Sequence, residues 1–76
     1  MVESTIRYQF ALGTMYENGL GVPQDYVLAH MWLNLSAAQG IKAAALTRDD
    51  LAERMTTAQI ADAQKLAREW KPKAER

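Results

Sequence analysis

What most constrains this 76-residue chain is where it has to stop being helical. Asn18-Gly19 and Gly40 tolerate the left-handed backbone that ends a helix. Pro23 and Pro72 have no place in a helix interior. Between these breaks the apolar residues recur at helical spacing, and nothing alternates with period two for long enough to make a strand. Four helices follow from this pattern. Ser4 or Thr5 is the expected cap of a first helix running to about Glu17. A second helix holds Pro23 and Asp25 in its first turn, where the missing N–H is no loss and the carboxylate meets the positive end of the helix dipole; it runs to about Gln39. A third spans about Ile41 to Arg54. Thr56 and Gln59 have capping-box spacing and open a fourth, which ends near Lys71, before Pro72. Residues 72–76 are expected to fray. Short turns make neighbouring helices antiparallel, so the expected fold is all-α: two helical hairpins in series.

Composition narrows the chemistry. Hydrophobic residues make up 49 % of the chain, too many for a disordered tail. Nine basic and nine acidic residues cancel, which leaves no electrostatic footprint for nucleic acid or an anionic membrane. The balance is uneven: residues 1–41 hold one base and three acids, a net of −2, and residues 42–76 hold eight bases and six acids, a net of +2. With no cysteine there is no disulfide, zinc-thiolate site or thiol catalysis. A fold this small must then hold by packing or by association. No apolar run approaches the roughly 20 residues of a membrane span, and Met1-Val2-Glu3-Ser4 does not read as a signal peptide. A cytoplasmic location is the expectation.

The stretch ENGLGVPQDY, Glu17 to Tyr26, poses the choice between a phosphate loop and a turn. A phosphate loop presents backbone N–H groups on tight glycines, usually with a lysine close by. Here Pro23 removes an N–H, no lysine is near and no strand precedes the glycines. The turn is the better reading, with Gly19 and Gly21 at positive φ and Val22 anchoring it by burial. The wider segment, Ala11 to Gly40, carries Leu12-Gly13, Tyr16, Gly19-Leu20-Gly21-Val22, Asp25, Ala29, Trp32, Ala37-Ala38 and Gly40 in order. This pattern resembles the Sel-one-like repeat family, with about residues 4–40 as one full repeat. After Gly40 it fades. Ala43 to Ala45 fit the start of a next repeat, but Arg48-Asp49-Asp50 stand where leucine and glycine belong. LAERMTTAQIADAQKLAREW is similar to the terminal helices that often close such arrays in bacteria, making 41–71 a degenerate second hairpin or cap within a single 1–76 domain.

The resemblance implies a short α-solenoid fragment of the tetratricopeptide type. It implies a non-enzymatic adaptor that holds other proteins, with a binding surface on the side of the first and third helices. It carries over no catalytic, cofactor-binding or metal-binding residues. It gives the matching glycines and alanines packing roles: Gly13 and Ala29 let two helices approach, and Trp32 fills the space beside them.

The residues weigh the same way. His30 is the only histidine, and Tyr26 and Asn34 at four residues on either side supply no nucleophile or second ligand, so a helix-surface or half-buried histidine is expected. A small hydrolase with His30 as its base is the alternative; another is that the chain is the C-terminal part of a longer array. Asp49 and Asp50 point about 100° apart on a helix and read as a solvated face, not as a carboxylate pair. Lys65, Arg68 and Lys71 read as compensation of a helix dipole with pairing to Asp62 and Glu69. Ile60, Ala63, Leu66, Ala67 and Trp70 share one side of the fourth helix, as a terminal cap requires. The first helix is apolar on two opposite sides: Ile6, Phe10 and Gly13 on one, Tyr8, Leu12 and Met15 on the other. With no preceding repeat expected, one side is left for a second copy. Tyr8, Leu12 and Met15 are the expected self-association stripe of a homodimer.

Overall fold

The computed structural model describes residues 2–70, with side chains from Tyr8 onward. Lys71, Pro72 and the tail lie outside the described residues, as does the side chain of Ile6. The helices are α1 Val2–Asn18, α2 Tyr26–Ala38, α3 Lys42–Ala52 and α4 Thr57–Glu69. No strand occurs among the described residues, and the fold is all-α.

Each end has a local cause. The start of α1 precedes Ser4 and Thr5, so both lie within the helix and neither is its cap. Gly19 takes φ +69°, and the Leu20 N–H turns back to the Met15 carbonyl at 3.0 Å, the six-to-one bond of a helix stop. The Gln24 amide covers the Glu17 carbonyl at 2.8 Å. Pro23 is not in the first turn of α2, because Asp25 is the N-cap: its carboxylate accepts from the Leu28 N–H at 3.1 Å. The capping bond favours a start at Tyr26 and leaves Pro23 in the connecting turn. At the other end of α2, Gly40 at φ +98° donates to the Ala37 carbonyl and Ile41 to the Ser36 carbonyl. α3 has no side-chain cap, and its end tightens through three bonds of the i to i−3 type, from Glu53, Arg54 and Met55. The Thr56–Gln59 capping box is present in both directions, at 2.9 and 3.0 Å.

α2 is the hub. α1, α3 and α4 each pack on it. The core joins Ala29 and Leu33 of α2 to Ala44 and Leu51 of α3, Met55, and Ala63 of α4, with Phe10, Tyr16, Ile41 and Ile60 against it. Burying a leucine side chain stabilises by about 1.5–3 kcal/mol, so Leu33 and Leu51, both fully enclosed, anchor this arrangement. α1 and α2 run antiparallel: Gly13 faces Leu33, while nearer the turn the Asp25 N–H reaches the Tyr16 carbonyl at 2.9 Å. A Cβ at Gly13 would sit 2.7 Å from Leu33 Cγ, so only glycine lets α1 come this close.

Candidate interaction surfaces

The packing on α2 sorts the two sides of α1. Phe10 packs against the core and Gly13 is buried under Leu33, so their side faces inward. Tyr8, on the other side, is 64 % exposed. Leu12 and Met15 are half-buried, and the Met15 methyl lies over the turn, 3.6 Å from where a Gly21 Cβ would stand. Only Tyr8 of that stripe is therefore fully open.

The other repeat positions divide. Ala29 is fully buried, Tyr16 and Ala37 pack against the core, and Val22 is half-buried. Ala38 is exposed, so the alanine pair splits into one inward and one outward residue, as neighbours about 100° apart must on a helix covered on one side. The atoms nearest a Cβ at Gly13 belong to Leu33, and Trp32 has an aromatic partner. Its ring meets Trp70 edge to face, with centroids 5.8 Å apart and planes at 72°. Trp70 itself is the C-cap of α4 in extended backbone and is half-buried, not one more residue of the helical stripe. Ala63 and Ala67 are buried as a cap helix requires, but Leu66 is 39 % exposed. With Val27, Asp62, Lys65 and Glu69 it lines a shallow groove of about 310 Å³ between α2 and α4. The groove arises because α4 meets α2 through alanines, which leave room beside them.

His30 is neither on the surface nor half-buried; it is 3 % exposed. Its Nδ1 has no hydrogen-bond partner. Burial, then the nearby Arg48 cation, push its pKa below the ordinary imidazole value, and Asp49 opposes them. Helical spacing shows which residues share a face of α2 but not which face another helix covers. Among the described residues two further polar atoms are enclosed without a partner, Gln9 Oε1 and Ser36 Oγ, and sequence reading passed over Gln9.

Asp49 and Asp50 are exposed and serve separate partners. Asp49 pairs with Arg48 at 3.0 Å, and Arg48 also donates to Asn34 Oδ1 of α2 at 2.8 Å. Asp50 pairs with Arg54 at 3.3 Å. Arg54 reaches further, to Glu17 of α1 at 2.7 Å, with its guanidinium 5.9 Å from the centre of the Tyr26 ring. The bridge ties the chain after α3 to the end of α1, across 37 residues of sequence, a distance no local spacing rule spans. Among the described residues neither Lys65 nor Arg68 is within ion-pair distance of Asp62 or Glu69, so the expected pairing is not formed. The described residues contain no group of three or more side chains placed to hold a metal ion. No helix among them is long and apolar enough to cross a membrane.

A helical hairpin with a further pair of helices on its second member defines a helical-repeat unit. Residues 6–41 match the family model of the Sel1 repeat, which supports a Sel1-like repeat over that segment. No curated protein and no solved structure matches the chain. A Sel1 repeat suggests a protein–protein interaction module.

Proposed function

We propose that this chain is a non-enzymatic protein-interaction module that associates with a second copy of itself through the outer side of α1. The observation that carries this is the two-sidedness of α1: Phe10 and Gly13 are used against α2, while Tyr8 stands 64 % exposed on the opposite side beside Leu12 and Met15. A two-fold contact between first helices covers that stripe and extends the core. In this reading residues 41–71 close the stack, with Ala63 and Ala67 turned inward and charged residues outward. The cytoplasm is the proposed location, and a further protein partner of unknown identity is part of the reading. The hydrolase alternative gains no support, since the imidazole of His30 is enclosed and its Nδ1 is unpaired.

Sedimentation across a wide concentration range tests the proposal. A dimer that dissociates on dilution, and that Tyr8→Asp abolishes with the helical content intact, supports it. A folded monomer at every concentration up to about millimolar, the weak end of specific association, overturns it. A dimer indifferent to both Tyr8→Asp and Leu12→Asp moves the interface elsewhere.

A further inference from the structure

We propose that His30, enclosed where α3 packs on α2, is a proton-operated latch whose protonation releases α3. His30 and Asn34 are four residues apart on α2 and share a face. Asn34 accepts a hydrogen bond from Arg48 of α3 at 2.8 Å, and the same guanidinium holds Asp49 at 3.0 Å. Arg48 is therefore pinned on the face that carries the imidazole. The charged groups that act on His30 are Arg48 and Asp49, both on α3; α1 and α4 contribute none among the described residues. The imidazole is 3 % exposed and its Nδ1 has no partner.

A proton on this ring has no good place in the closed form. It puts a second cation beside a fixed guanidinium, in a nearly enclosed site, and adds an N–H with no acceptor. Moving α3 away removes Arg48 and hydrates the ring. The topology allows this motion, because α1 and α4 each pack on α2 directly. Release bares the apolar side of α2 and of α3, including Leu51 and Ala44.

The direction with pH follows from linkage. In the closed form the pKa of His30 lies below its ordinary value of 6.5; in the open form it returns to that value. The open form then binds more protons below the ordinary value. Closure is at full strength above it, weakens as the pH falls, and loses no more once the pH has passed below the closed-form pKa. For each pH unit by which the closed-form pKa is lowered, the open population rises about tenfold in acid.

Amide hydrogen exchange, corrected for intrinsic rates, reads this directly at about pH 7.5 and about pH 5, which bracket imidazole titration. The expected result is a loss of protection in α3, at Ala45 to Leu51, with α1 at Phe10 to Tyr16 unchanged. His30→Leu, which keeps an apolar side chain in the site, should abolish the loss. Unchanged α3 protection, an equal loss in α1, or the same loss in His30→Leu overturns the latch. Should His30→Leu fail to fold, the proton resonances of His30 in the native chain decide. A midpoint below 6.5 with α3 amide shifts following the same curve supports the latch; a midpoint at or above the ordinary value overturns it.

Discussion

Replacing Gly13 by alanine adds one methyl group at the closest approach of α1 to α2. The new Cβ would lie 2.7 Å from Leu33 Cγ, 2.8 Å from its Cδ2 and 3.3 Å from its backbone nitrogen. Two effects oppose one another. Alanine is the better helix former by about 0.8–1.0 kcal/mol. Overpacking a filled interior costs about 1–3 kcal/mol. Leu33 cannot yield cheaply: Cγ is its branch point, the side chain is fully enclosed, and the backbone nitrogen lies just behind. The steric cost therefore falls in the upper half of its range, and the net loss is about 1–2 kcal/mol. For a domain of this size that lowers Tm by about 4–16 °C, taking about 4–8 °C per kcal/mol. Urea denaturation gives the stability, and an unchanged slope shows that the two states are otherwise alike. The cycle with Leu33→Ala isolates the contact. Leu33→Ala alone costs about 2–5 kcal/mol, and in the Gly13→Ala background it should cost less by about 1–3 kcal/mol, because it removes the clash. A Gly13→Ala variant more stable than the parent by about 1 kcal/mol, with additive behaviour in the cycle, would show that helix propensity alone acts at this position.

Three further outcomes follow from single contacts. Gly21 has φ +78° and only the Met15 methyl near its missing Cβ, at 3.6 Å, so the penalty there is one of backbone: Gly21→Val should cost about 1–2 kcal/mol and Gly21→Asn clearly less by thermal denaturation. Thr56→Ala removes the hydroxyl that accepts from the Gln59 N–H in the α4 capping box and should cost about 1 kcal/mol, with a loss of exchange protection confined to the first turn of α4. Trp70→Ala should cost about 1–2 kcal/mol, not the 3–5 of a fully buried ring, and should shift the emission of Trp32; a loss at the higher figure would place Trp70 in the core.

Much of the backbone was legible in the sequence because the signals are local. Gly19 and Gly40 end helices by adopting positive φ, and Thr56 and Gln59 cap one by side-chain bonds three residues apart. Each needs only its neighbours, and so does the 3.6-residue periodicity that made the chain all-α. Where two local signals competed, spacing was not enough. Pro23 and Asp25 both suit a helix start, and the hydrogen bond that the Leu28 N–H donates to the Asp25 carboxylate decided for a helix beginning at Tyr26.

The side-chain environments were decided by tertiary structure. A helical wheel places Tyr8 opposite Phe10 and Leu66 beside Ala63, but only the packing on α2 turns Phe10 inward and leaves Leu66 at the rim of a groove. The same packing encloses His30 and sets Trp32 against Trp70 across 38 residues. It also lets Arg54 bridge to Glu17, two charges far apart in sequence, with the guanidinium near the Tyr26 ring. Local bonds choose the elements. Which of their faces meet water depends on contacts between residues far apart in the chain, and period and composition do not encode those pairings.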